Sequence, residues 1–227
     1  MKQQNEGKKK RTEAAAIGSE QTEVVFILDR SGSMSGLESD TIGGYNSMLK
    51  KQTEEPGTAW ITTVLFDDRV ELLHDRIPLA EMLPITDKEY YVRGSTALLD
   101  AIGYSIQKVS LSQKLAPSKA RASRILFVIT TDGYENASRE YSYDKIRNLI
   151  LEKKQKDGWE FLFLGANIDA VAEAAKFGIE RDRAVKFTNS SRGVNLNYAV
   201  VSDVVSNYRQ GNLITKDWKD SIETDEE

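Results

Sequence analysis

Glu23-Val24-Val25-Phe26-Ile27-Leu28-Asp29-Arg30-Ser31-Gly32-Ser33-Met34-Ser35 is the stretch on which the fold turns. Val24 to Leu28 is apolar throughout and rich in β-branched and aromatic side chains, which predicts a strand buried on both faces. A polar turn stops it, and its last residue is a carboxylate. Asp29, Ser31 and Ser33 follow at alternate positions, and Gly32 gives the backbone freedom to curl, so a loop folded over the strand end turns three oxygens toward one point. Three hard oxygen donors, one of them charged, suit a divalent cation such as Mg²⁺ that keeps water or a ligand in its other positions. The simpler reading of this motif by itself is a Ser-rich turn whose hydroxyls cap the next helix. The rest of the chain has to decide.

Leu37, Ile42, Tyr45, Met48 and Leu49 fall on one face of a helix over Leu37 to Gln52, with Gly43 and Gly44 expected to let it approach a sheet closely. Ala59 to Phe66 and Val70 to His74, joined by Asp67-Asp68-Arg69, read as a hairpin whose second strand is an antiparallel edge. After an irregular stretch to Arg93, Gly94-Ser95-Thr96 opens a helix carrying Leu98, Leu99, Ile102, Ile106 and Val109. Ile125 to Ile129 is a second fully apolar strand, and it too ends at a carboxylate, in Thr131-Asp132-Gly133. A helix capped by Ser142, a third apolar strand over Trp159 to Leu164, a short helix over Ile168 to Phe177 and a weak strand over Ala184 to Phe187 follow. The last helix starts near Ser190, places Val194, Tyr198, Val201, Val205 and Tyr208 on one face and ends by Gly211.

Apolar strands alternating with helices imply right-handed crossovers and a doubly wound α/β domain: a mostly parallel central sheet with one antiparallel edge strand and helices on both faces. Ligands of such sheets sit beyond the carboxyl ends of the strands. Asp29 and Asp132 belong there, and Thr96 begins a helix at the same edge. A chain of 227 residues with 40% hydrophobic content suffices for one such domain. The expected boundaries are a disordered polar arm over 1–22, the domain over 23–211 and an acidic tail over 212–227.

A net charge of −4 implies no general attraction to nucleic acid or an anionic membrane, and Lys8-Lys9-Lys10-Arg11 reads as a solvated cluster within the arm. With no cysteine there is no disulfide framework, thiolate site or cysteine nucleophile, which is compatible with a reducing compartment. The first twenty residues are charged and polar with no apolar core of signal-peptide length, and no run approaches the length of a membrane span. The expectation is a cytoplasmic protein.

Asp29-x-Ser31-x-Ser33, Gly94-Ser95-Thr96-Ala97-Leu98 and Thr131-Asp132-Gly133, in this order and on these elements, resemble the von Willebrand factor type A (VWA) domain from about Glu23 to Gln210. The resemblance implies a metal-ion-dependent adhesion site (MIDAS) with Asp29, Ser31, Ser33, Thr96 and Asp132 as metal ligands. It implies a bound divalent cation, Mg²⁺ first with Mn²⁺ or Ca²⁺ as alternatives, and a protein partner that offers an Asp or Glu side chain. Relatives can shift the last helix on ligation. The chain looks similar to the stand-alone bacterial VWA proteins, among them tellurite-resistance-associated ones, that act as intracellular scaffolds or adaptors. Arg30, at the variable position of the motif, reads as a surface residue, with a bias of the site toward a carboxylate ligand as the alternative; Asp40, Asp67, Asp68 and Asp100 read as solvated carboxylates, and Asn136 as a turn or cap residue, with support of the third loop as the alternative.

The rival classes are a nucleotide- or phosphate-binding α/β protein and a Mg²⁺-dependent phosphotransfer enzyme. His74 is the only histidine and falls on the expected edge strand, and no nucleophile-elbow pattern surrounds Ser31 or Ser33. The second carboxylate that aspartate-based phosphatases carry two residues on is missing from Arg30-Ser31-Gly32. Neither glycine-rich phosphate-binding pattern is present. The expectation is a binding module rather than an enzyme.

Overall fold

The computed structural model describes residues 21 to 225. The basic cluster and all but the last residues of the expected arm lie outside them. Among the described residues six strands form one sheet: β1 (Thr22–Asp29), β2 (Ala59–Phe66), β3 (Val70–Pro78), β4 (Arg124–Thr131), β5 (Glu160–Gly165) and β6 (Ala184–Lys186). Their order across the sheet is β3-β2-β1-β4-β5-β6, with β3 antiparallel to β2 and the other pairings parallel. β1 is therefore central, and its register sets Asp29 opposite Phe66 of β2 and Leu28 opposite Thr130 of β4. The carboxyl ends of β1 and β4 lie level, which is what brings loops distant in sequence to one edge.

Six α-helices cover the sheet among the described residues: α1 (Glu38–Glu54), α2 (Leu98–Leu115), α3 (Tyr143–Asp157), α4 (Ala170–Lys176), α5 (Ser191–Arg209) and α6 (Asp220–Asp225). The alternation of a strand splits the core in two. Val24, Phe26 and Leu28 of β1, with Leu126 and Val128 of β4, pack under α1 and α5. Val25 and Ile27, with Phe127 and Ile129, pack under α2, α3 and α4. Each fully buried Ile, Leu or Phe contributes about 1.5–3 kcal/mol, so the central strands supply much of the driving force.

The α3 caps are those the residue types imply: Ser142 accepts from the Lys145 amide at the start, and Gly158 ends the helix at φ 66°. Gly44 departs from expectation. Its close neighbour is not the sheet but Tyr198 of α5, whose Cδ2 would lie 2.4 Å from a β-carbon at this position. Glycine here lets two helices meet.

Residues 212–225, within the stretch expected as an acidic tail over 212–227, pack against the domain. Ile214 and Ile222 are buried in the α1/α5 core, joined by Trp218 at its edge. The Trp218 indole donates to the Asp182 carbonyl at 2.8 Å, and Lys219 donates to the carbonyls of Arg181 and Ala184 at 3.0 and 2.9 Å. Within α6, Asp220 and Glu223 face water, Asp225 is covered and pairs with Arg192 at 2.5 Å, and Ile222 docks.

Candidate metal site

Three loops meet beyond the carboxyl ends of β1 and β4. The first follows β1. Asp29 is 2% exposed; its Oδ1 accepts from the Ser31 amide at 2.7 Å, and its Oδ2 from the Thr131 hydroxyl at 2.5 Å. The Ser31 and Ser33 hydroxyls lie 3.1 Å apart, and Ser33 donates to Asp132 Oδ1 at 2.5 Å. Neither hydroxyl caps a helix: the short 3₁₀ turn Gly32–Met34 has no side-chain cap, and Leu37 stands at the N-cap of α1. That removes the simpler reading of the Ser-rich turn.

The third loop supplies Asp132, whose Oδ2 is buried without a hydrogen-bond partner among the described residues. A buried acceptor left unpaired is costly and calls for a donor or a cation. The second loop brings Thr96 to the same place. A β-carbon at Gly133 would lie 3.5 Å from both Ser33 Oγ and Thr96 Oγ1, filling the space between these hydroxyls. The structure thus gathers Asp29, Ser31, Ser33, Thr96 and Asp132.

Burial pushes the Asp29 carboxyl up to about 6; bonds from Thr131 and Ser31 oppose this, and the nearby Asp132 charge adds to it. Asp132 is likewise raised by burial, against its bond from Ser33. Two carboxylates short of solvent, neutral hydroxyls and an orphaned oxygen are a donor set that a hard divalent cation fits. Among the described residues no cluster of three or more His, Cys, Asp or Glu could hold a metal. Here hydroxyls outnumber carboxylates.

No protein-family model matches the sequence, and no curated protein matches it. Solved structures do. A mutant of the PilB minor pilin from Streptococcus sanguinis superposes with a TM-score of 0.57 at 14% identity, over 85% of this chain and 63% of that one. A von Willebrand factor type A structure from Catenulispora acidiphila does so at 0.55 and 14%, over 81% and 42%. Proximal thread matrix protein 1 from the mussel byssus, with its MIDAS motif occupied by zinc, gives 0.52 and 16%, over 83% and 46%. The fold is that of the VWA domain. This chain spans less than two thirds of the length of these structures, so the likeness concerns the VWA unit and not what surrounds it.

Around these loops several residues differ from the sequence expectation. Arg30 is fully buried rather than on the surface. Its Nε donates to Asp67 at 2.9 Å and its Nη2 to Glu71 at 2.6 Å, its Nη1 reaches the Glu89 carbonyl, and its guanidinium lies over the Tyr91 ring. Asp67 is fully buried too and also accepts from Arg93 Nε at 2.7 Å. Burying each such charge costs on the order of several kcal/mol before pairing, so the cluster holds only because its members answer one another. Asn136 is more than a turn residue: its Oδ1 accepts from the Thr96 amide at 2.9 Å while its own amide donates to the Thr96 carbonyl at 3.0 Å. Asp100 is not merely solvated, for it accepts the amides of Arg139, Glu140 and Tyr141 and so fixes the chain beyond the third loop. Asp40 accepts from Ser191 at the start of α5, and Asp68 is exposed as expected.

Proposed function

We propose that this VWA domain is a cation-dependent protein-binding module, with Asp29, Ser31, Ser33, Thr96 and Asp132 holding a divalent cation, Mg²⁺ by preference and Mn²⁺ or Ca²⁺ as alternatives. When bound, the cation supplies an electrophilic centre for a carboxylate oxygen. The observation that carries this reading is the use of the hydroxyls: Ser31 and Ser33 bond to each other and to Asp132 instead of capping a helix. With only two carboxylates in the set, a cation keeps much of its charge and can attract an Asp or Glu from a partner protein.

The chain's role is that of a scaffold or adaptor in the cytoplasm, binding a protein and neither nucleic acid nor membrane, and it is not an enzyme. For the membrane, the supporting fact is that no helix among the described residues is long and apolar enough to cross one. For the enzyme, it is that His74 sits on β3 with its Nδ1 3.0 Å from Thr63 Oγ1, away from the hydroxyls of the site. α5, whose Val194 and Tyr198 lie in the core beneath the site, is the element to watch for movement on ligation.

Calorimetric titration with Mg²⁺ and Mn²⁺, followed by a pull-down in Mg²⁺ and in chelator, tests the proposal. The intact chain is expected to bind the cation and to capture a partner only in its presence, and Asp29→Ala to lose both. Capture that is indifferent to chelator, or cation binding unchanged in Asp29→Ala, would overturn the reading.

A further inference from the structure

The hydrogen bonds that join the first and third loops, Ser33 to Asp132 and Thr131 to Asp29, use the same oxygens that a cation requires. A cation draws on those lone pairs, so these bonds cannot be the only means of holding the loops together. Something that spends no ligand oxygen has to set their spacing. Asn136 does so between the second and third loops, through both its amide and its side chain on Thr96. Between the first and second loops two backbone bonds, from the Gly32 amide to the Gly94 carbonyl at 3.1 Å and from the Arg93 amide to the Arg30 carbonyl at 2.9 Å, share the task with one side chain.

Asp67, at the end of β2, touches residues adjacent to ligands on both sides. Its carboxylate takes Arg30, which stands between Asp29 and Ser31, and Arg93, which precedes the Gly94-Ser95-Thr96 turn. Its backbone carbonyl accepts from Ala97, immediately after Thr96, at 2.8 Å. Asp67 Oδ1 is fixed in turn by the Arg69 amide at 2.9 Å. Arg30 is anchored at every level: its amide donates to the Phe66 carbonyl at 2.8 Å, its carbonyl accepts from Arg93 at 2.9 Å, and its guanidinium is fully enclosed. Gly94, at φ 67°, packs so tightly on Asp68 that a β-carbon would lie 2.4 Å from its carboxylate oxygen, which presses the second loop onto the β2–β3 turn.

We infer that Asp67, clamped between Arg30 and Arg93, is a positioning residue of the cation site: it sets the distance between the Asp29–Ser33 loop and Thr96. This rests on the reading of the site given above. Ion pairs suit the task because a guanidinium is directional in its donors, and two of them on one carboxylate fix two loops to one point. Arg30 and Arg93 are balanced by Asp67 and Glu71, so the cluster brings no net charge to the site. Its effect is geometric.

That distinction gives the test its sign. Arg93→Met removes a positive charge near the site, so electrostatics alone would tighten cation binding, whereas loss of positioning weakens it. Mn²⁺ titrations of the full chain are expected to show binding about tenfold weaker in Arg93→Met, and about 10- to 100-fold weaker in Asp67→Asn, the range usual for groups that orient metal ligands. Circular dichroism verifies that each variant is folded. In the cation-free protein, amide exchange at Thr96 and Ala97 should quicken in both variants while the β1 and β4 amides stay protected. Should Asp67→Asn fail to fold, Arg93→Met decides alone, because its side chain is partly exposed and its amide bond to Arg30 remains. Mn²⁺ affinity equal to or tighter than that of the unaltered chain in folded Arg93→Met overturns the inference. If Asp29→Ala has meanwhile lost binding, the cation site itself stands. An unaltered chain that does not bind Mn²⁺ overturns both.

Discussion

Gly43 and Gly44 are neighbours in α1 whose replacement by alanine should act in opposite directions. Gly43 is exposed, and an added β-carbon would have nothing within 4 Å. Alanine there gains only helix propensity, about 1 kcal/mol of stability. At Gly44 the same gain meets Tyr198, whose Cδ2, Cγ and Cβ would lie 2.4, 2.9 and 3.2 Å from the new carbon. Those atoms include the root of the side chain, so the ring cannot swing away by a terminal rotation. Tyr198 also packs edge-on against Tyr45, with centroids 6.4 Å apart, and Tyr45 edge-on against Phe26 at 5.4 Å, so relief requires α5 to lift from α1. Overpacking of this kind costs about 1–3 kcal/mol, and the upper end applies where the neighbour is fixed. After the propensity gain, Gly44→Ala should be destabilised by about 2 kcal/mol, some 3 kcal/mol below Gly43→Ala. For a domain of this size the melting temperature should rise by about 2–4 °C in the first variant and fall by about 4–8 °C in the second. Urea unfolding followed by circular dichroism gives both values. Equal stabilisation of the two would show that α1 and α5 are not in the contact described.

Ile222→Ala should cost about 2–5 kcal/mol in the same assay, because the side chain is 2% exposed; an undocked tail would show no change. His74 is held below its ordinary value of 6.5, chiefly by burial, with Glu89 pulling the other way. The fold therefore favours the neutral ring, and its contribution is present above about pH 6.5 and lost as pH falls through the depressed value. The stability difference between the unaltered chain and His74→Gln, measured along a pH series, should shrink toward acid; a difference that grows would refute it. Saturation with the cation at about a hundred times its dissociation constant should add about 2.7 kcal/mol of stability, and a chelator should remove it. A melting temperature indifferent to both would count against the site.

The buried strands were readable because parallel strands covered on both faces are apolar at every position, a pattern that needs no tertiary knowledge. Of the five residues gathered at the sheet edge, local periodicity marked the strand ends at Asp29 and Asp132 and the helix start near Thr96, and the resemblance of their motifs to the VWA domain named them as one set. Arg30 was not, since its partners Asp67 and Glu71 lie 37 and 41 residues away and a charged residue in a turn reads as exposed. Asn136 pairs with Thr96 across 40 residues and leaves no local trace. The final segment did offer a signal. Ile214, Trp218 and Ile222 recur every four residues, one stripe of a helix, but the surrounding Asp and Glu outweighed it.

The central place of β1 has a consequence for biosynthesis. A nascent chain that has left the ribosome only as far as β3 already carries Asp29, Ser31 and Ser33, yet it lacks both Thr96 and Asp132. β4 must then insert along the free side of β1 before the third loop exists. On the function proposed above, tight capture of a cation marks a chain in which that late insertion is complete, and a partner that reads the cation is blind to unfinished copies.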